Sequence, residues 1–481
     1  MALIDKLKGY KTLAQPVKAS LWYTVCNVLN KGLALLATPI FTRIMTEEQY
    51  GAFAIFQSWY SIILIFTSLN IFMNSYSKGL ISYEEDRHGF TSSMLGLTTL
   101  LTGCFGLLYV LFSGFWTAVL ELTPALMIAM LLELVTMPAL EFWAAQQRFD
   151  YKYKKYVAIS LLQSALSLTL GVTAVLCTQY KLEARVYTDV LAKALFAGSL
   201  FVLIFWRGKR FYHKEYWRYA LTFNLPLIPH YLSSYVLNQS DRIMISKMVG
   251  DAQAAHYSVA YTISTVMNLV IIAINNSLTP YVYKSIKSDE PDKIKGATRP
   301  LYLLVAVLCI LTMCFAPEVV LMFAGRAYAD AVWVIPPIAA SVYFIFVYSG
   351  FCNLEYYYQK TGLVALASCL AAVANLGLNF VCIPLFGYYA AGYTTLACYL
   401  LMAIFHYVAY RRVLRNNMDR KEGVYDHGVI LGCSVLVLAT MVVMVLTYRY
   451  LPVRYCLVAA LAVIAFIYRK KLMGILGRIK E

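Results

Sequence analysis

The sequence contains few charged residues. Only 14% of its 481 residues are Asp, Glu, Lys or Arg, whereas soluble globular proteins contain about 25%. Hydrophobic residues make up 60% of the chain, they come in long runs, and the mean hydropathy is +0.64. So few charged side chains cannot cover several soluble domains, which excludes a soluble enzyme, a secreted disulfide-bonded scaffold and a disordered chain. The composition predicts an integral membrane protein with many spans.

Motifs of common catalytic and metal sites are also missing. The 11 cysteines form no CxxC pair and all lie within predicted spans, which argues against a disulfide framework or a zinc site. The chain contains no GxxxxGK[ST], HExxH, GxSxG or DxD motif, so we expect no enzymatic activity, no cofactor and no metal site. The net charge of +16 lies in short clusters between apolar runs, which indicates membrane orientation rather than binding to nucleic acid.

The sequence does contain fourteen apolar segments of the length that crosses a bilayer, about 20 residues for a helix. They predict an all-α polytopic fold, with twelve spans as the alternative if two segments are re-entrant or interfacial. The predicted spans are 18–41, 50–72, 91–113, 123–144, 157–178, 186–206, 220–246, 257–283, 299–316, 333–353, 363–384, 390–410, 427–447 and 454–469.

The distribution of Lys and Arg predicts the orientation. With the amino terminus inside, and with basic residues at the end positions of a span counted with the adjoining connection, 31 of the 41 basic residues lie in inside segments, 7 in outside loops and 3 within spans. Because Lys and Arg accumulate in cytoplasmic loops, both termini are predicted to be cytoplasmic.

A weak internal repeat divides the chain. Residues 43–58 and 247–262 align at an offset of 204, with Gln49 on Gln253 and Arg43 on Lys247. Parallel repeats of this kind build two-lobed transporters. We therefore predict an N-terminal lobe over 1–206, a C-terminal lobe over 207–410, and two additional spans with a cytoplasmic tail over 411–481.

Polar residues follow single helical faces in several predicted spans. One interpretation is a hydrated cavity walled by spans 1, 2, 7 and 8, and the alternative is interhelical hydrogen bonding. The cavity candidates are Asn27, Gln57, Asn238, Asp241, Asn268 and Asn275.

Charged groups within spans are costly and normally face a cavity or a partner. Lys31 lies in mid-span without an acidic neighbour one turn away, so it faces a cavity or pairs with Glu133. Glu133 and Glu141 are candidates for proton coupling. Asp189 and Lys193 have the spacing of an intrahelical ion pair.

Arg242 and Asp241 are adjacent near the outer surface. A local ion pair or an interfacial anchor is therefore the alternative to a role of Arg242 in binding. His230 is interpreted as a packed polar residue.

Two pairs of spans resemble the polysaccharide flippase family. The resemblance is carried by TPIFTRIMTEEQYGAFAIFQSW in spans 1 and 2, and by FNLPLIPHYLSSYVLNQSDRIMISKMVG and AHYSVAYTIS in spans 7 and 8. This family comprises O-antigen and capsule repeat-unit flippases of bacterial inner membranes, in the superfamily of the MATE drug exporters and the lipid II flippase. It implies two six-helix lobes in a V shape around a cationic cavity, working by alternating access, with spans 13 and 14 at the periphery.

The resemblance also implies the cargo and its partners. An undecaprenyl-diphosphate-linked oligosaccharide would be exported to the outer leaflet, driven by H⁺, Na⁺ or the membrane potential, beside the polysaccharide polymerase machinery. Lys31, Arg242 and Arg43 would pair with the phosphates. The alternatives are a MATE-like exporter of cationic drugs, a lipid II flippase, and a scaffold without transport activity.

Overall fold

The described part of the chain is a set of long α-helices. The computed structural model describes residues 14–73, 75–418, 422–450, 452, 454–456, 458 and 459. The helices are α1 (Gln15–Ile44), α2 (Glu47–Ser68), α3 (Ser75–Ser82), α4 (Arg87–Leu111), α5 (Ser113–Leu120), α6 (Pro124–Phe149), α7 (Tyr153–Cys177), α8 (Lys181–Gly208), α9 (Lys214–Asn224), α10 (Ile228–Met248), α11 (Asp251–Thr265), α12 (Met267–Lys287), α13 (Asp292–Cys314), α14 (Ala316–Phe323), α15 (Ile335–Tyr357), α16 (Thr361–Phe386), α17 (Tyr389–Met418) and α18 (His427–Thr447).

Twelve helical segments among the described residues are long and apolar enough to cross a membrane. They correspond to predicted spans 1–6 and 8–13, with α11 and α12 together forming one segment. Predicted span 7 does form a helix, α10, but Ser, Asn, Gln, Asp and Arg residues make it too polar to meet the same criterion. Predicted span 14 lies largely outside the described residues. The predicted all-α polytopic fold is confirmed.

Prolines interrupt or begin helices where sequence analysis placed continuous spans. The predicted span 220–246 is broken because Pro226 lies in a 3₁₀ turn (Leu225–Leu227) between α9 and α10. Proline lacks the N–H that a continuous helix requires. Pro336 and Pro337, predicted inside a span, instead occupy the first turn of α15, where proline leaves no helical hydrogen bond unmade.

The chain forms two compact units, Met1–Tyr235 and Val236–Glu481. In the first, α2, α6 and α8 enclose a core with Phe56, Met127 and Val190. A second core, containing Tyr76 and Phe142, lies where α3, α4, α6, α8 and α9 meet. The predicted lobes, 1–206 and 207–410, were defined by an internal sequence repeat, whereas these two units are defined by compactness. The boundaries of the lobes therefore stay predictions.

In the second unit, α15 is the central helix. Of the residues in its most apolar stretch, 83% are buried, against 28% in the neighbouring α16. Helices α11, α13, α17 and α18 all pack on α15. Polar side chains on α15 therefore lie inside protein rather than in lipid.

The internal repeat is visible in the helix boundaries. Helix α1 ends at Ile44 and α2 begins at Glu47, and the same end and start recur 204 residues later at Met248 and Asp251. Both sites join a long helix to the next through a two-residue turn, which agrees with the sequence alignment.

Candidate functional site

The first unit contains a charge network in its membrane-spanning helices. Helix α8 presents Arg185, Asp189 and Lys193 at four-residue intervals, which puts them on one helical face. Lys193 Nζ lies 2.8 Å from Asp189 Oδ2 and 2.6 Å from Glu133 Oε1 on α6. Arg185 Nη1 lies 3.6 Å from Asp189 Oδ1. We call Glu133, Arg185, Asp189 and Lys193 the N-terminal charge network.

Neutral groups complete the environment of this network. Gln57 Nε2 donates to Asp189 Oδ2 at 3.3 Å, and Ser167 Oγ donates to Asp189 Oδ1 at 2.5 Å. The guanidinium of Arg185 lies between two rings, 4.2 Å from the centroid of Phe41 and 4.5 Å from that of Phe53. Such stacking partly replaces the hydration that Arg185 loses on burial.

The contacts within the charge network test two ion pairs that were predicted from the sequence. The predicted pair of Asp189 with Lys193 is confirmed. The predicted alternative pair of Lys31 with Glu133 is wrong, because Glu133 is fully buried against Lys193. Two acids and two bases give no net charge, so the network by itself is not a binding site for an anion. Arg185 was not among the predicted site residues, although its position four residues before Asp189 has the spacing of an intrahelical ion pair.

Two cavities lie along one face of α7. The first, of about 180 Å³, is lined by Asn30, Leu33, Ala34, Ala37, Gln163, Ser164, Ser167, Leu168, Arg185, Asp189 and Lys193. The second, of about 160 Å³, is lined by Met137, Leu140, Glu141, Trp143, Ala144, Tyr156, Ile159, Ser160, Gln163 and Ser164. They share Gln163 and Ser164, so polar side chains run along α7 from Glu141 to the charge network.

Asn30 connects α1 to this polar face. Its Nδ2 donates to Ser160 Oγ at 2.7 Å, and its Oδ1 accepts from Ser164 Oγ at 2.8 Å. Asn27, the predicted cavity residue of α1, lies one turn earlier and is exposed. Its role in a cavity stays a prediction, because the helical face of α1 that meets α7 depends on tertiary packing.

The predicted cationic residues of α1 are both exposed. Lys31 makes no hydrogen bond or ion pair with any residue in the described ranges. Arg43 donates from Nη1 to the carbonyl oxygen of Pro39, at 2.8 Å in the last turn of the same helix. A lysine in a span whose charge is not compensated must face water, a ligand or a partner rather than lipid.

The second unit contains a buried carboxylate that accepts hydrogen bonds from neutral groups. Asp241 on α10 accepts hydrogen bonds from Tyr257 Oη, from Thr395 Oγ1 at 2.8 Å and from Asn379 Nδ2 at 2.6 Å. Asn379 Nδ2 also lies 3.3 Å from Asn375 Oδ1, and its Oδ1 accepts from Thr394 Oγ1. We call Asp241, Tyr257, Asn375, Asn379, Thr394 and Thr395 the Asp241 cluster; all are buried.

Arg242 points to a different set of partners. Its Nη1 donates to Gln239 Oε1 and, at 3.2 Å, to the Asn238 carbonyl oxygen, and its guanidinium lies 4.7 Å from the centroid of the Tyr261 ring. Neither Arg242 nor Asp241 forms an ion pair within the part of the chain that the structure describes. The predicted local pair between them is therefore wrong.

The remaining cavity candidates have mixed surroundings. Asn275 Nδ2 donates to Ser349 Oγ at 3.2 Å, and Asn238 Oδ1 accepts from Tyr261 Oη at 2.7 Å. The Oδ1 atom of Asn268 is buried without a hydrogen bond. Asn275 thus connects α12 to α15 by a hydrogen bond, as the alternative interpretation predicted. Asn268 makes no such connection among the described residues.

Comparison with known proteins places these features in a family. The sequence profile described as polysaccharide biosynthesis protein matches residues 17–286, which is more than half of the chain. The chain belongs to this family. The chain is also similar to Lsg locus putative protein 1 of Haemophilus influenzae, with 25% identity over 378 residues, covering 74% of this chain and 88% of the relative. The family predicted from spans 1, 2, 7 and 8 is confirmed.

Solved structures with the same fold are transporters. The lipid II flippase MurJ in an inward closed conformation has a TM-score of 0.70 at 12% identity and covers 94% of this chain and 100% of its own. An inward-facing MATE family multidrug resistance transporter of the MOP superfamily has a TM-score of 0.62 at 13% identity, covering 82% and 96%. This member of the polysaccharide biosynthesis protein family therefore has the fold of MOP superfamily membrane transporters.

Proposed function

We propose that the protein is a flippase that moves an undecaprenyl-diphosphate-linked oligosaccharide from the inner to the outer leaflet of the bacterial cytoplasmic membrane. One observation carries this proposal: Lys31 and Arg242, both within helices of the membrane region, form no ion pair among the described residues. For Lys31, in the middle of predicted span 1, an uncompensated charge costs about 3 kcal/mol or more. An anionic cargo gives each of these residues a compensating charge during transport.

The chemistry of the cargo fits the residues that are present. A diphosphate provides several charged oxygens, which Arg and Lys bind through short charge-assisted hydrogen bonds. Asn27 beside Lys31, and Asn238 beside Arg242, provide amide groups that can hydrogen-bond to sugar hydroxyls. The charge network itself is neutral, so we assign it to holding α6 and α8 together rather than to binding phosphate.

The first test measures translocation by the full-length protein in proteoliposomes. The probe is a fluorescent undecaprenyl-diphosphate oligosaccharide, and external quenching reports its leaflet. We expect Lys31→Gln and Arg242→Gln each to lower the rate at least about tenfold, because a hydrogen bond to a charged group contributes about 1.5 to 3 kcal/mol. Lys155→Gln is the matched control, since it removes an exposed lysine from the first turn of α7.

Wild-type rates in both Lys31→Gln and Arg242→Gln would remove the proposed phosphate-binding groups. Parallel vesicles with lipid II and with a cationic dye test the other cargo classes. Selective movement of lipid II would assign the same diphosphate chemistry to a different glycan. Movement of the dye alone would contradict the flippase proposal and support the second candidate, cation export. The observation behind that candidate is that Glu141, which lines the second cavity, forms no ion pair among the described residues.

For the energy source, we propose that Asp241 is the coupling group. The hydrogen-bond donors to this buried carboxylate are all neutral, and Arg242 acts on it without forming an ion pair. Uptake of a proton or a cation would compensate its charge, which is costly in the membrane interior. Thr, Tyr and Asn supply oxygen atoms around it, and these are suitable ligands for a hard cation. Glu133, an earlier candidate, already has its charge compensated by Lys193.

Asp241→Asn tests this assignment in the same vesicles. We expect the variant to lose the acceleration by an inward H⁺ or Na⁺ gradient, while the slow movement without a gradient persists, because the amide keeps the size and polarity of the side chain. Glu141→Gln is the comparison for the other candidate acid. Full gradient dependence in Asp241→Asn, together with its loss in Glu141→Gln, would transfer the coupling role to Glu141.

A further inference from the structure

A second cluster of ligand-type side chains lies in the C-terminal unit, apart from the residues discussed above. Cys352 and Glu355 are three residues apart on α15, hence on one helical face, and His406 faces them from α17. The side chains of Glu355 and His406 are completely buried, and Cys352 is 4% exposed. The candidate ligand atoms of all three lie within 4.8 Å of one another.

The contacts within this cluster leave polar atoms without partners. His406 Nδ1 lies 2.9 Å from Glu355 Oε1 and 3.4 Å from Cys352 Sγ, so both groups compete for one ring nitrogen. Glu355 Oε2 and His406 Nε2 are buried and make no hydrogen bond with any residue that the structure describes. Among the described residues no Lys or Arg pairs with Glu355. A buried carboxylate oxygen without a partner is rare in folded proteins and needs an explanation.

We propose that Cys352, Glu355 and His406 bind a divalent transition-metal ion of the zinc class. A thiolate, a carboxylate and an imidazole are the ligand types that Zn²⁺ takes in proteins. One thiolate and one carboxylate together neutralise a divalent cation, so the loaded site has no net charge inside the buried core around α15. The proposal differs from the sequence-based expectation of no metal site.

The observed spacing is close to that of a loaded site. Typical Zn–S and Zn–N lengths with tetrahedral angles place the S and N atoms about 3.6 Å apart, and the N and O atoms about 3.3 Å apart. The corresponding distances here are 3.4 Å and 2.9 Å. For these two pairs the required movements are therefore a few tenths of an ångström, and the third pair, Cys352 Sγ and the Glu355 carboxylate, lies within 4.8 Å. Binding would release the thiol proton of Cys352 and displace the proton of the Glu355–His406 hydrogen bond from the two ligand atoms.

The surrounding aromatic rings fix the orientation of the imidazole. The Tyr348 ring stacks on His406 with centroids 5.6 Å apart and an interplanar angle of 23°, and the Phe405 ring meets His406 edge-on. Tyr348 lies on α15 and His406 on α17, so packing between these two helices sets the ring before any ion binds. Three preset protein ligands leave the fourth coordination position for water, as in open zinc sites.

Co²⁺ is the probe that tests both binding and the thiolate ligand. The full-length protein in detergent is stripped with a chelator, loaded with Co²⁺ alone and freed of excess metal. We expect one Co²⁺ per chain, with a thiolate-to-cobalt charge-transfer band in the near ultraviolet and intense visible bands of tetrahedral cobalt. Zn²⁺ should displace the cobalt and bleach these bands.

Variants separate the proposed ligands from other cysteines. Cys352→Ser and Cys352→Ala should lose the charge-transfer band, and His406→Gln and Glu355→Gln should lower Co²⁺ retention at least tenfold. Cys309→Ser is the matched control, because Cys309 is a buried thiol of the same unit outside the described metal-type cluster. Size-exclusion profiles show which variants are folded, and the two Cys352 variants keep the test valid if one is not.

Three results would overturn the inference: no retained metal in the wild-type protein, a charge-transfer band that persists in both Cys352 variants, or loss of the band in Cys309→Ser. As an independent readout, Zn²⁺ should raise the melting temperature of the wild type but not that of Cys352→Ser. None of these measurements requires transport activity. The metal site and the flippase assignment can therefore fail separately.

Discussion

At the scale of single residues, Lys193 compensates two buried acids in the first unit. Glu133 is fully buried and Asp189 is 9% exposed, and both carboxylates lie within 2.8 Å of Lys193 Nζ. Removing one partner of a buried ion pair leaves an uncompensated charge, which costs about 3 to 5 kcal/mol. Loss of one partner would therefore lower the free energy of unfolding by more than formation of the pairing raises it.

We expect Lys193→Met to lower the free energy of unfolding by an amount in that range, seen as a large drop in melting temperature in detergent. Lys31→Met is the matched control, because Lys31 is exposed and forms no ion pair among the described residues, and it should melt like the wild type. The double variant Lys193→Met/Glu133→Gln should recover part of the loss, since it removes one of the two acids. Equal melting of Lys193→Met and Lys31→Met would contradict this account.

At the scale of helices, close approach of backbones decides where side chains can be added. A Cβ atom built on Gly96 of α4 would lie 2.0 Å from the carbonyl oxygen of Phe211, in the segment that follows α8. Backbone cannot move aside as a flexible side chain can. Gly103, two turns later on the same helix, has no atom within 4 Å of such a Cβ.

Gly96→Ala should therefore destabilise the protein by about 1 to 3 kcal/mol, the usual range for overpacking. Gly103→Ala is the matched control, and it should be neutral or stabilise α4 by up to about 1 kcal/mol, since alanine has the higher helix propensity. Thermal unfolding of both variants in the same detergent compares them directly. A stable Gly96→Ala protein would show that the segment around Phe211 moves more easily than its packing indicates.

At the scale of the whole molecule, the charge distribution predicts how the chain lies in its membrane. The structure contains twelve helical segments of spanning length and composition among the described residues. The excess of Lys and Arg in alternate connections then predicts which connections are cytoplasmic. The turn around Glu290, between α12 and α13, is predicted inside, and the turn around Gln179, between α7 and α8, is predicted outside.

Cysteine labelling checks this orientation in intact cells. In a variant with all 11 native cysteines replaced, a membrane-impermeant maleimide should label Gln179→Cys from outside. It should label Glu290→Cys only after the membrane is opened; both positions are exposed. The reversed pattern would invert the topology, and labelling of both from outside would show that the number of spans between them is even rather than the predicted three.

The sequence predicted the class of fold well because span length and hydropathy are local properties. Twelve of the fourteen predicted spans match helical segments that are long and apolar enough to cross a membrane, and α18 has the same bounds as the predicted span 427–447. Predicted span 7 divides into α9 and α10 at Pro226, a break that hydropathy alone did not show. The sequence predicted less about the candidate site. Asp241 and Glu133 were among the predicted site residues, but the residues that contact them in the structure were not identified as their partners.

What the sequence determined by itself is therefore a polytopic helical membrane protein of the polysaccharide biosynthesis protein family, together with a predicted orientation. Tertiary structure alone decided which polar residues meet. Lys193 reaches Glu133 across 60 residues, and Asn379 reaches Asp241 across 138. The physical reason is that hydropathy is summed along one helix, whereas an ion pair or a ligand set depends on which helical faces pack together. The Cys352, Glu355 and His406 cluster likewise exists only because α15 and α17 are neighbours.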